Sequence, residues 1–171
     1  MDALLKVEDF TMHYSTKAGW VQAVDGISFA LNRGQSLGLV GESGCGKTSI
    51  AMSIMRLLPY NAQIKRGKIY LGGRDIYSMT AEEFRQARWK EISMIFQAAM
   101  NALNPVYTVG SQIVEAIVEH EPDTTEEEAR RRVAELFDLV GIPAERSDHY
   151  PHEYSGGMKQ RAVIAMALAC N

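Results

Sequence analysis

Cysteine is scarce in this 171-residue sequence, which contains only two. Cys45 and Cys170 stand far apart and offer no disulfide framework, an arrangement typical of proteins from a reducing compartment. His149 and His152 are close in sequence, but no cysteine pair or carboxylate cluster completes the usual ligand set of a structural zinc site. The sequence therefore argues against a disulfide-stabilised scaffold and against a structural zinc module.

Long hydrophobic runs and a basic charge excess are also absent. The longest uncharged apolar run, at residues 162–170, has nine residues, whereas a membrane-spanning helix needs about 20. Residues 1–6 lack the basic and apolar regions of a secretory signal. The formal net charge of −3 does not favour binding to nucleic acid or to an anionic membrane surface. We expect any role at a membrane to depend on other subunits for the spanning segments.

Strand patterns dominate the first part of the chain, whose length fits about one domain. Apolar residues alternate at residues 4–14 and 21–31, and a further short strand is predicted at residues 68–71. Residues 36–40 and 92–96 are nearly all apolar, which is typical of strands buried on both faces of a parallel sheet. Two such core strands are few for a parallel sheet, so we expect the chain to be a piece of a longer polypeptide.

Helix patterns follow. A helix is predicted from Thr48, with Pro59 to end it. Apolar residues at helical spacing predict two amphipathic helices, one from Val109 and one around Ala129, and a last helix starts near Ser155. The sequence thus predicts an α/β protein with a strand-rich nucleotide-binding part at residues 1–97 and a helical part at residues 98–171.

The loop at residues 41–48, GESGCGKT, matches the P-loop pattern and lies between a predicted buried strand and a predicted helix. Glycines let backbone N–H groups approach phosphate oxygens without Cβ clashes, and a new helix presents unpaired N–H groups to an anion. In this chemistry Lys47 reaches the β- and γ-phosphates, and the Thr48 hydroxyl ligates Mg²⁺. Since a match by accident has a chance on the order of 1 %, we predict a nucleoside triphosphate site, for ATP, rather than an inert turn. Cys45 is either a small filler of the loop or a modifiable thiol at a helix N-terminus.

A second helix start suited to an anion occurs at Ser155, Gly156 and Gly157. The serine is either a simple N-cap or, with the two glycine amides, part of a phosphate-binding site. Two such arrangements in one chain indicate two nucleotides, or one nucleotide shared between two copies.

In order along the chain, these motifs resemble those of the ATP-binding subunits of ABC transporters. The P-loop is followed by MIFQ at residues 94–97, by predicted helices and by the signature-like YSGGMKQR at residues 154–161. LNP at residues 103–105 and YPHEYSGGM at residues 150–158 are especially similar to the branch that serves dipeptide, oligopeptide and nickel importers. The resemblance covers the whole chain.

The resemblance implies roles for single residues. Tyr14 stacks on the adenine ring, the alternative being an aromatic residue of the sheet. Gln97 contacts Mg²⁺ and the attacking water, the alternative being a buried structural glutamine. The implied catalytic residues are Gln97 and Lys47, and the implied Mg²⁺ ligands are Thr48 and Gln97. The implied ATP-binding residues come from the adenine contact, the P-loop and the signature: Tyr14, Gly41, Glu42, Ser43, Gly44, Cys45, Gly46, Lys47, Thr48, Ser49, Ser155, Gly156, Gly157, Met158 and Gln160.

Three departures from the family pattern stand out. Met158 replaces the glutamine of most ABC proteins, although the peptide branch commonly has methionine there. Residues 98–102 read AAMNA where relatives favour DPMTS. The hydrophobic strand with an Asp-Glu pair, the loop after it and the switch histidine do not occur in the 171 residues. Because the family's catalytic base belongs to that pair, we expect this polypeptide alone not to turn ATP over efficiently.

The resemblance also implies a fold and a function. The fold is a RecA-like P-loop core, incomplete at its C-terminal end, with an antiparallel N-terminal subdomain and a helical subdomain. The function is to bind Mg-ATP and power uptake of peptides or a related solute, at the cytoplasmic face of the cell membrane. The implied partners are a second ATP-binding subunit, two permease subunits docked on the helical part and, indirectly, a solute-binding protein, with no nucleic acid. The alternatives are a non-catalytic nucleotide-binding module and a soluble ABC-type ATPase acting on nucleic acid.

Overall fold

The structure, a computed structural model, describes residues 3–96 and 102–170. The chain folds as two compact units, Met1–Arg85 and Gln86–Asn171. The sequence-based division, a nucleotide-binding part at residues 1–97 and a helical part at residues 98–171, is defined by function and not by compact units. It stays a prediction.

The first unit contains an antiparallel sheet of four strands in the order β2-β1-β3-β4. The long strands are β1 (Leu5–Thr16), β2 (Gly19–Leu31) and β3 (Ala62–Leu71), and a short β4 (Arg74–Asp75) pairs with the end of β3. β1 lies in the middle of the three long strands and pairs with both neighbours. The strands predicted from alternating apolar residues are therefore confirmed.

A bulge in β1 determines which of its side chains are buried. Val7 and Phe10 are both buried, although residues at this spacing would point to opposite faces of a regular strand. The pairing of β1 shifts register between them, and Asp9 has a left-handed φ of 44°. One inserted residue thus turns Phe10 and Met12 to the same face as Val7, where Ile69 of β3 is also fully buried.

The second unit is helical. Its helices are α3 (Val109–His120), α4 (Glu126–Leu139) and α5 (Gly156–Ala167), and two short 3₁₀ segments, Ala144–Asp148 and Pro151–Glu153, precede α5. The apolar stripes of the three helices form its core, with these side chains buried: Val109, Ile113, Ile117, Ala129, Val133, Phe137, Ala162 and Ala165. The helices predicted from Val109, around Ala129 and from Ser155 are confirmed. No helix within the described ranges is long and apolar enough to cross a membrane.

α4 begins with a complete capping box. The Thr125 hydroxyl accepts the Glu128 N–H, and the Glu128 carboxylate accepts the Thr125 N–H at 2.9 Å. The Thr125 O–H and, to a smaller extent, the Thr125 N–H donate to the Glu128 carboxylate and hold the pKa of Glu128 below its usual value. Gly141, which has a left-handed φ of 69°, follows the end of the helix. The sequence carries both signals, because Thr125 and Glu128 have the spacing of a capping box and Gly141 follows the last apolar residue of the helix.

Thr125→Ala is expected to lower the free energy of unfolding by about 1 kcal/mol. The Glu128 N–H loses its hydroxyl acceptor, and the Glu128 carboxylate loses the O–H donor that holds it beside the Thr125 N–H. Chemical denaturation followed by circular dichroism measures this change. Thr124→Ala is the matched control, since it removes the neighbouring hydroxyl, which donates to Glu121, and leaves the box intact. Equal losses for the two variants would contradict the assignment of the cap.

Two strand predictions are wrong. Residues 36–40 and 92–96 form no strand in the described chain, apart from a single bridge between Arg88 and Ile92. Val40 is 97 % exposed, and Phe96 is 49 % exposed. Apolar composition favours burial, but a strand also needs a neighbour to accept and donate its backbone hydrogen bonds. None of the described residues supplies that neighbour.

Two helices also differ from the sequence pattern. α1 (Lys47–Ile54) ends before the predicted stop at Pro59, because Arg56 takes a left-handed φ of 51°. α2 (Ala81–Lys90) is absent from the sequence-based prediction, and its backbone leaves helical geometry at Arg88 and Trp89. Its amino end carries a Thr80–Glu83 cap, a local signal that could have identified it.

Candidate nucleotide-binding site

The loop at residues 41–46 leads directly into α1 and contains two left-handed glycines. Gly44 has a φ of 84° and Gly46 has a φ of 94°. A Cβ atom on Gly46 would lie 2.2 Å from the carbonyl oxygen of Ala23 in β2. Glycine is therefore required at position 46 both by backbone conformation and by contact with the sheet.

The Lys47 ammonium closes the loop on itself. Its Nζ donates to the carbonyl oxygens of Gly41 and Glu42, each at 2.7 Å, and lies 3.4 Å from Cys45 Sγ. These three contacts match the three donors of an ammonium group. The positive charge of Lys47 thus lies inside the loop. An anion bound there would replace the two carbonyls as the hydrogen-bond partner of the ammonium group.

The first turn of α1 is left open to an anion. Its N-cap, Gly46, has no side chain to accept a hydrogen bond, and its first turn contains no acidic residue. By contrast, α3, α4 and α5 are capped by the hydroxyls of Thr108, Thr125 and Ser155. Since the first N–H groups of a helix have no partner within the helix and its dipole is positive at this end, the site fits phosphate groups.

Tyr14 reaches this helix from β1. Its phenolic Oη lies 3.2 Å from Ser49 Oγ, and both side chains are half-buried. The structure therefore brings two predicted ATP-binding residues together, 35 positions apart in sequence. Thr48, the predicted Mg²⁺ ligand, is exposed on the same turn of α1.

The other end of α1 is held by side chains that sequence reasoning missed. Tyr77 Oη donates to the Ser53 carbonyl at 2.7 Å, and Arg56 donates to the carbonyls of Ile76 and Met79. Burial raises the pKa of Tyr77 to about 12, against the opposing effect of Arg56, so this hydroxyl stays a donor at neutral pH. These contacts fix the direction in which α1 points its open amino end. They join residues distant in sequence, so no local signal reveals them.

A cavity of about 360 Å³ lies between β2, residues 39–40 and the start of α1. Its wall includes Val24 and Ile27 of β2, Val40 and the backbone around Gly46. The apolar residues that precede the P-loop thus line an opening beside it rather than a closed sheet.

The signature segment begins α5 in the second unit. Ser155 Oγ accepts the Met158 N–H at 3.3 Å, which confirms the N-cap interpretation. Ser155, Gly156, Gly157 and Gln160 are exposed, whereas Met158 packs against the helical core. A cap with an exposed hydroxyl and exposed glycine amides is also compatible with the phosphate-binding interpretation, which stays a prediction.

The glutamine predicted to contact Mg²⁺, Gln97, lies outside the described residues. In the part of the chain that is described, no group of three or more histidine, cysteine, aspartate or glutamate side chains could hold a metal ion.

A glycine loop closed by a lysine and followed by an uncapped helix start defines a P-loop nucleotide-binding protein. The ABC transporter family model matches residues 24–171. The chain therefore belongs to the ABC transporter family, as the sequence motifs predict.

Two curated relatives from Bacillus subtilis (strain 168) are each 46 % identical to this chain. The oligopeptide transport ATP-binding protein OppD aligns over 98 % of this chain and 48 % of its own length. The dipeptide transport ATP-binding protein DppD aligns over 99 % of this chain and 51 % of its own length. The chain thus spans about half the length of these relatives.

Solved structures establish the fold. The ATP-binding cassette MJ0796, determined as a dimer in a post-hydrolysis state with ADP and Pi, superposes with a TM-score of 0.84. The superposition covers 98 % of this chain and 70 % of that one, at 24 % sequence identity. The predicted fold class, an ABC-type P-loop fold with an antiparallel sheet and a helical part, is confirmed.

Proposed function

We propose that this chain is the nucleotide-binding part of an ATPase subunit that powers a peptide importer. The single observation that carries the proposal is the P-loop, with its lysine-closed glycines and uncapped helix start. The similarity of the whole chain to two peptide-transport ATP-binding proteins supports peptides, or a related solute, as the cargo.

The chain's own residues would hold the triphosphate and Mg²⁺. Lys47 would give up its hydrogen bonds to the carbonyls of Gly41 and Glu42 and donate to the β- and γ-phosphates. The uncapped N–H groups at the start of α1 would donate to phosphate oxygens. Thr48 and Gln97 ligate Mg²⁺, and Tyr14 stacks on the adenine. Bound Mg-ATP supplies the γ-phosphoryl group whose hydrolysis we propose for the whole protein.

The proposed assembly has more than one subunit. A second ATP-binding subunit would place its own P-loop nucleotide against Ser155, Gly156 and Gly157, whose exposed hydroxyl and amides suit a γ-phosphate. Two permease subunits would dock on the helical part, and a solute-binding protein would deliver the cargo to them. The site of action is the cytoplasmic face of the cell membrane.

An uptake assay tests this function. Cells that lack the whole protein are expected to lose uptake of labelled di- and oligopeptides, and the wild-type gene is expected to restore it. The Lys47→Ala gene is expected to fail. The matched control is Lys68→Ala, which removes the same charge from an exposed β3 residue paired with Asp75.

Undiminished peptide uptake in the cells that lack the protein would refute the proposal. If the purified protein then hydrolysed ATP faster with DNA or ribosomes, the soluble ATPase would be the better description. ATP binding without hydrolysis in the whole protein would instead favour the non-catalytic module.

A further inference from the structure

We infer that Tyr14 and Ser49 form a hydroxyl relay that aims the Ser49 O–H at a nucleotide phosphate. The relay gives Tyr14 a role through its hydroxyl, in addition to the role of its ring. The inference rests on the proposed function, because it assumes that the P-loop binds phosphate.

Ser49 is the third residue of α1, and so it belongs to the turn whose N–H groups no side chain caps. Its side chain is half-buried between the sheet and the helix start. A hydroxyl at this place can reach the same anion as the backbone N–H groups of that turn.

The hydroxyls of Tyr14 and Ser49 share one hydrogen bond. A hydroxyl has one proton to donate and two lone pairs to accept with. The phenol of Tyr14 is the stronger acid of the two hydroxyls, so it is the better donor across the 3.2 Å contact. Within the described chain the Ser49 hydroxyl has no other hydrogen bond, and its proton is available for a further acceptor.

Ser53, one turn later in α1, shows the ordinary use of a helical serine. Its Oγ donates to the Ser49 carbonyl at 2.7 Å, so the Ser53 hydroxyl proton is already engaged in a hydrogen bond within the helix. Ser49 lies too near the helix start for this bond, because the residue four positions earlier, Cys45, precedes the N-cap Gly46. Its oxygen accepts instead from Tyr14 of the sheet. Donors that polarise one another in series strengthen each bond, so the phenol makes the serine a better donor to phosphate.

Binding measurements on the whole protein with two probes test the relay. Inorganic tripolyphosphate carries the phosphates without the base, and adenosine carries the base without the phosphates. Tyr14→Phe keeps the ring and is expected to weaken tripolyphosphate binding about fivefold, the usual effect of one hydrogen bond. Adenosine binding is expected to stay the same.

Four further variants make the test specific. Ser49→Ala is expected to weaken tripolyphosphate binding at least as much as Tyr14→Phe, and Ser49→Thr, which keeps the hydroxyl, is expected to restore it. The double variant Tyr14→Phe/Ser49→Ala is expected to bind no more weakly than Ser49→Ala. Tyr60→Phe is the matched control, since Tyr60 is fully exposed.

Three outcomes distinguish failure of the relay from failure of the proposed function. If wild-type protein binds tripolyphosphate and Tyr14→Phe binds it equally well, the relay is refuted and the P-loop proposal stands. Additive losses in the double variant refute the relay in the same way. If wild-type protein binds neither tripolyphosphate nor ATP, the proposed function itself fails.

Discussion

Lys47→Ala is expected to weaken Mg-ATP binding by the whole protein about ten- to hundredfold, the range for a hydrogen bond to a charged group. The Lys47 ammonium already lies within the loop, on the carbonyl oxygens of Gly41 and Glu42. Exchange of those neutral acceptors for phosphate oxygens forms charge-assisted hydrogen bonds, which are stronger than neutral ones. Alanine supplies neither the charge nor the donors. Isothermal titration with Mg-ATP measures the change.

The comparison requires that the variant still folds. Gly41 and Glu42 are exposed, so water can satisfy the carbonyls that lose Lys47, and we expect little change in thermal unfolding. Lys68→Ala is the charge-matched control and should bind Mg-ATP like the wild type. Unchanged affinity in a folded Lys47→Ala protein would mean that this lysine does not hold the phosphates.

The P-loop could be predicted from sequence because its geometry depends on neighbouring residues. Positive φ values at Gly44 and Gly46, a lysine that reaches the loop carbonyls and the start of α1 all lie within eight consecutive residues. The capping box at Thr125 and Glu128 was predictable for the same reason. Local chemistry determines these features, so a single sequence is enough to find them.

Features that depend on a distant partner could not be predicted in the same way. The apolar runs at residues 36–40 and 92–96 indicate burial, but composition alone does not provide a neighbouring strand. The contact between Tyr14 and Ser49 joins β1 to α1, and nothing in either segment specifies it. The family resemblance implies a role for the ring of Tyr14, whereas the contact with Ser49 is made by its hydroxyl.

The starts of α1, α4 and α5 differ in whether the cap residue has a side chain that binds the first backbone N–H groups of the helix. At Thr125 the hydroxyl side chain satisfies the helix, and the end of α4 is closed. At Gly46 the cap residue has no side chain, and the end of α1 stays open. Ser155 combines the two, because its hydroxyl caps α5 while two exposed glycines follow it. Glycine at position 46 therefore leaves the start of α1 open to a phosphate.

Gly46→Ala is expected to destabilise the protein by about 3 kcal/mol or more and to abolish Mg-ATP binding. The new Cβ would lie 2.2 Å from the Ala23 carbonyl oxygen, a backbone atom of β2 that has no rotamer to move away. Either the loop or the strand must shift, and the open N–H groups of α1 then lose their alignment on the phosphates. Denaturant unfolding and Mg-ATP titration measure the two effects separately.

Gly44→Ala separates this clash from the cost of the left-handed backbone alone. Gly44 has a φ of 84°, close to the 94° of Gly46, but among the described residues no atom beyond its chain neighbours lies within 4 Å of the place where its Cβ would stand. We therefore expect it to cost only about 1–2 kcal/mol, the usual penalty for a left-handed alanine. Equal destabilisation by the two variants would show that backbone conformation alone requires glycine here. A larger loss at Gly46 would show that β2 braces the phosphate loop from behind, so that the sheet itself holds the open end of α1 in place.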